Sequence, residues 1–86
     1  MRIRAIVIEG DTGWVEITRT ESGAHVTSGE FNKVLVEVAR DEHPEDRYAK
    51  AQEVAAVLYG TTRGRPNATN SMVHDVMNEI DRVAGC

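Results

Sequence analysis

The sequence predicts an α+β domain: an N-terminal antiparallel β-hairpin, of two strands or of three with a short addition, followed by three amphipathic helices. Three observations predict it. β-Branched residues (Ile3, Ile6, Val7, Ile8) crowd the N-terminus, where they suit a pleated surface better than a helix. Apolar residues then alternate with polar ones around Val15 and Ile17. From Phe31 onward the apolar residues recur at helical spacing instead.

The first strand spans 2–9, and Gly10, Asp11, Thr12 and Gly13 turn the chain. Over 14–20, Val15 and Ile17 share one face and Glu16 and Thr18 the other, the period of a returning strand. Glu21, Ser22 and Gly23 make a second turn before a short third strand at 24–26. Thr27 and Glu30 then have the spacing of a capping box, flanked by Val26 and Phe31 as a hydrophobic staple. Phe31, Val34, Leu35, Val38 and Ala39 continue as an apolar stripe with Lys33, Glu37 and Arg40 facing away, which predicts a first helix over about 28–41.

Pro44 fits the first turn of a second helix, where Glu45 and Asp46 complement the dipole. Gly60 suits a left-handed cap, so Tyr48, Ala51, Val54, Ala55 and Leu58 form the apolar face of a helix over 44–59. Residues 61–66 read as a connector broken by Gly64 and Pro66. Beyond it, Met72, Val73, Val76, Met77, Ile80 and Val83 predict a third helix that starts between 67 and 71 and ends at Gly85.

A chain of 86 residues has room for one domain, 1–86, with a modest core. A hydrophobic fraction of 41% and a charged fraction of 28% exclude disorder over the whole length. Acidic residues number 14 against 10 basic ones, a net charge of −4, which is a poor match to a nucleic-acid binder relying on a basic face. Cys86 stands alone, so an intramolecular disulfide and a thiolate zinc cage are ruled out, and a reducing, cytoplasmic setting is expected. The apolar run from Ala5 to Ile8 is too short to serve as an anchor, and no membrane attachment is expected. A narrow sheet covers less apolar surface than three amphipathic helices present. A homo-oligomer is therefore expected, a dimer that pairs the C-terminal helices or extends the sheet edge.

Catalysis needs groups of tuned acidity held close together. His25, His43 and His74 fall in different predicted elements with no partner at a metal-ligand spacing. The acids around the turn at 40–47 lack the alternation and central glycine of a calcium loop and serve to support the following helix. Cys86 has no basic neighbour to activate it, and Gly60 and Gly64 lack the Gly-Lys-Ser/Thr ending of a phosphate-binding loop. No enzymatic activity, catalytic residue, cofactor or metal is expected.

Arg63-Gly64-Arg65-Pro66 is identical to the core of the AT-hook, whose arginines enter the narrow minor groove of A·T-rich DNA. The same glycine and proline equally serve as plain chain breakers between two helices. A helix-turn-helix reading of the flanking helices adds Asn67 and Asn70 as candidate base-reading residues. Against it stand a connector longer than the usual turn, and Asp75, Glu79 and Asp81 on the last helix.

Ile6-Val7-Ile8-Glu9, Asp11-Thr12-Gly13-Trp14-Val15 and Gly23-Ala24-His25-Val26-Thr27-Ser28-Gly29 follow one another as an opening strand, a turn, an aromatic-led strand and a Gly-x-x-Val-Thr-x-Gly stretch that leads into a helix. In that order they resemble the N-terminal part of HicB-type antitoxins, over residues 1–41. The resemblance implies a protein that covers a toxin, with its own operator as a further target, and it assigns no site residue. The proline-containing stretch usual before the first glycine is missing, and no strand is evident after the first predicted helix.

The leading expectation is a small non-enzymatic regulatory or inhibitory protein, of the kind found in phages and mobile elements, that binds another, basic protein. Trp14 is its candidate anchor if the ring points away from the core, the other reading being that it packs in the hairpin, and Glu37, Asp41, Glu42, Glu45 and Asp46 are its candidate acidic contacts. The alternative is a dimeric DNA-binding transcriptional regulator that uses Arg63, Arg65, Asn67 and Asn70. Arg2, Arg4, Arg19, Arg63 and Arg65 gathered into one positive strip would favour that alternative.

Overall fold

In the computed structural model, which describes residues 3–85, the β-branched N-terminal run pairs with the alternating segment that follows it. β1 (Ala5–Glu9) and β2 (Trp14–Arg19) are antiparallel, with Ile6 opposite Ile17 and Ile8 opposite Val15. The third strand is longer than expected, with β3 spanning Gly23–Ser28 and pairing antiparallel with β2. β4 (Lys33–Ala39) then pairs antiparallel with β3, giving a sheet in the order β1-β2-β3-β4. α1 (Pro44–Tyr59) and α2 (Asn70–Ala84) follow, separated by a small hairpin of β5 (Thr61–Thr62) and β6 (Arg65–Pro66).

The helix expected over 28–41 does not form. Among the described residues the chain has a four-stranded sheet and two helices rather than a hairpin and three helices, while the α+β class stands. Thr27 and Ser28 finish β3, the chain turns through Asn32 at φ 51°, and the rest of the segment is β4. Instead of capping a helix, the Thr27 hydroxyl donates to the Glu16 carbonyl at 3.3 Å across the sheet. The physical reason lies in Val34, Val36 and Val38, whose branched side chains favour extended backbone. Val36 and Val38 are buried with exposed Glu37 between them, a period of two, and Val36 is the residue that the helical stripe leaves out. Burying both valines while completing a ladder with β3 outweighs a local capping signal. Phe31, expected in a staple, stands in the turn with 76% of its surface exposed.

The other two helices follow their punctuation. Pro44 opens α1, and His43 Nδ1 accepts from the Glu45 N–H at 3.2 Å. Thr69 caps α2, its hydroxyl accepting from the Met72 N–H at 3.3 Å, and Gly85 closes it in the left-handed conformation. Both helices lie on one face of the sheet. Val15, Ile17, Ala24, Val26, Val36 and Val38 meet Ala51, Val54, Ala55 and Leu58 of α1 and Val73, Val76, Ile80, Val83 and Ala84 of α2 in one buried cluster.

Polar ties fix the layers at both ends. In the β1–β2 turn the Thr12 N–H donates to the Leu58 carbonyl and its hydroxyl to the Val57 carbonyl, each at 2.9 Å, serving orphan acceptors at the end of α1. At the other end Arg40 Nε donates to the Ala84 carbonyl at 2.7 Å. Between the helices, Arg47 Nη1 and Asp81 Oδ2 form a half-buried ion pair at 2.6 Å.

Candidate functional site

Because successive strand residues point to opposite faces, the strands that bury Val15, Ile17, Val26, Val36 and Val38 turn a second set of side chains away from the helices. That outer face has its own cross-strand rows. Glu9 lies opposite Trp14; Val7 opposite Glu16, which faces Thr27 and then Val34; Ala5 opposite Thr18, which faces His25 and then Glu37. Among the described residues, the exposed large apolar side chains are Val7 at 55%, Trp14 at 43%, Phe31 at 76% and Val34 at 48%. The first, second and fourth share these rows, and Phe31 borders them in the β3–β4 turn.

Trp14 is held in place from beneath. Gly29 donates its N–H to the Trp14 carbonyl at 2.9 Å, and a Cβ built on Gly29 would overlap the indole ring, so the ring lies directly against glycine backbone. Rigidity of this kind lowers the ordering cost of an aromatic contact. Around it the outward-facing strand residues supply Glu9, Glu16 and Glu37 as carboxylates and no lysine or arginine. Lys33 pairs with Ser28, on the opposite alternation.

Of the expected protein contacts, Trp14 and Glu37 therefore share one face. Asp41, Glu45 and Asp46 are exposed at the junction between β4 and α1, away from those rows. Glu42 is half-buried and ion-paired with Lys50, so its charge is already countered. Glu9, Glu16, Val7 and Val34 escaped the list of candidates. For Glu16 the signal was present, since its alternation with Val15 and Ile17 already put it opposite the core.

The nucleic-acid candidates are arranged otherwise. Arg63 at φ 55° and Gly64 at φ 77° form the two-residue turn of the β5–β6 hairpin, so the RGRP segment is folded back on itself rather than extended. Both arginines are exposed. Asn67 is engaged with the Tyr59 carbonyl at 3.3 Å, and the Asn70 side-chain oxygen accepts from the Tyr48 hydroxyl. The described arginines of the expected positive strip lie in two separate places. Arg4, Arg19 and Arg40 surround a cleft at Gly85, where cations complement the negative end of α2. Arg63 and Arg65 follow the C-terminus of α1, which the β1–β2 turn joins at the far end of β2 from Arg19. Arg2 lies outside the described residues.

His25 is on the outer face, His43 caps α1, and the ring of His74 on α2 lies 5.0 Å from that of Tyr48 on α1. No group of three or more potential metal ligands assembles among the described residues. No helix among them is long and apolar enough to cross a membrane. Cys86 lies outside them. No protein-family model, no curated protein and no solved structure matches this chain.

Proposed function

We propose that the protein is a non-enzymatic binding module whose uncovered sheet face docks a basic protein partner, acting as a regulator or inhibitor through that contact. The observation that supports this reading is the composition of the face: Trp14, Val7 and Val34 interspersed with Glu9, Glu16 and Glu37, without a cation among the outward strand residues. A rigid aromatic with aliphatic neighbours supplies area that gains from desolvation. Carboxylates around it steer a positive partner and penalise a negative one. The acids at 41–46 extend the same sign of potential from the β4–α1 junction without belonging to the docking face.

The experiment is a comparison of captured proteins between the wild type and the pair Trp14→Ala plus Glu16→Lys, with folding checked by circular dichroism. Basic proteins retained by the wild type and released by the variant at equal salt are the expected result. Capture unchanged by the variant would remove the face from consideration. A parallel gel-shift series on A·T-rich duplex is expected to give no complex. A salt-sensitive complex lost on Arg63→Ala plus Arg65→Ala would transfer the function to nucleic acid.

A further inference from the structure

The two edges of the sheet are finished differently. On β4 the register shifts at Val26/Thr27, leaving Leu35 as a bulge residue. Lys33 opens the strand, and Lys50 Nζ donates to the outward Glu37 carbonyl at 2.6 Å. A bulge, a lysine and an occupied carbonyl are the devices by which edge strands are kept from pairing.

β1 has none of them. The Arg19 N–H donates to Arg4 O and the Gly10 N–H to Gly13 O, each at 2.8 Å, which fixes the even-numbered residues of this strand as the ones bonded to β2. The N–H and C=O groups of Ala5, Val7 and Glu9 consequently point away from the sheet. No described element pairs with them. The strand Ala5-Ile6-Val7-Ile8-Glu9 is regular, carries no proline or lysine, and has Ile6 and Ile8 only partly buried on its helix side.

We infer that two copies of this chain join antiparallel through β1, with Val7 opposite Val7 of its partner on the two-fold axis, making one continuous sheet of both. Ala5 then lies opposite Glu9 of the partner, so the outward-pointing residues form hydrogen-bonded pairs along the whole strand. Ile6 meets the partner's Ile8, which continues the apolar layer under the helices and covers the two half-buried isoleucines. Arg4, on the helix side like Ile6 and Ile8, comes level with the partner's Gly10, and symmetry repeats this placement at the other end. A parallel pairing through the same edge would turn the second copy over, so that Ile6 and Ile8 would lie beside outward residues of the partner rather than its isoleucines and the two pairs of helices would fall on opposite faces of the sheet. Burial of the isoleucines and backbone registry therefore select the same arrangement, and the occupant is a second copy.

The test reads mass and amide exchange on the full chain. Sedimentation equilibrium of the wild type is expected to give twice the 9.5 kDa chain mass. Val7→Pro removes an N–H that bonds nothing within the chain, so it is expected to yield a folded monomer. Val7→Lys keeps every backbone group but sets two ammonium groups across the axis, and is expected to weaken association by about tenfold or more. In the wild type the Ala5, Val7 and Glu9 amides are expected to exchange as slowly as those of Ile6 and Ile8. In Val7→Lys the Ala5 and Glu9 amides become fast while the even ones stay protected. A wild type that remains monomeric at millimolar concentration, or a dimer in which those odd-numbered amides exchange rapidly, would overturn the inference. Neither readout involves a basic partner, so this result is independent of the docking face.

Discussion

A methyl group on Gly29 would occupy space held by the Trp14 indole, so Gly29→Ala must tilt the ring off its platform. The tryptophan emission is expected to shift to longer wavelength while the far-ultraviolet circular dichroism is retained, and partner capture should fall as it does for Trp14→Ala. A core-packed Trp14 would instead produce a loss of stability with little change in surface binding. At the same scale, Arg47→Ala leaves Asp81 half-buried without its cation. Urea melts should report a loss of about 1–3 kcal/mol, and Arg47→Ala plus Asp81→Ala should cost less than the sum of the single changes. Glu42→Gln is expected to lower stability, since it discharges the partner of Lys50, but to leave binding intact, because that carboxylate is already countered within the chain.

Among the elements, β4 separates two ways of reading one segment. Val36 is buried and Val34 exposed, whereas the helical reading gave Val34 a place in the apolar stripe and Val36 none. Val36→Ala should cost about 1–3 kcal/mol in denaturant unfolding, and Val34→Ala about 0.5 kcal/mol or less. Equal losses would contradict the strand. The β1–β2 hairpin and both later helices are legible because their signals agree: alternation with a glycine turn in the first case, apolar stripes closed by Gly60 and Gly85, with Pro44 opening the earlier one, in the second. Over 27–41 the signals conflict, since a Thr-x-x-Glu spacing announces a cap while three valines at alternate positions announce a strand. The pairing partner that decides the matter, β3, is remote information that local spacing does not contain. A helical reading of this segment sets Glu37 on a solvated helix face; its place beside His25 on the sheet emerges only from the register. Gly64 and Pro66 read as breakers, but a two-residue turn between strands as short as Thr61–Thr62 and Arg65–Pro66 leaves almost no periodicity to read.

For the whole molecule, the sheet divides into a face buried against the helices and an outer face that the helices leave uncovered. If two copies join at β1, their outer faces become one surface with two Trp14 rings and a doubled set of carboxylates, and a partner should bind with two-fold stoichiometry. Association of a basic partner is then expected to slow steeply as salt rises while dissociation changes little, which stopped-flow mixing at several ionic strengths would measure. Salt-independent association would argue that Trp14 and the valines act alone. The β5–β6 hairpin takes part in neither contact. A Cβ at Gly64, at the tip of this hairpin, would touch nothing, and the hairpin borders α1 at Ala49, Gln52 and Glu53. That tip is consequently the natural place to hang a fluorophore or splice in an epitope tag, allowing the molecule to be tracked or immobilised with every surface that matters still turned to solution.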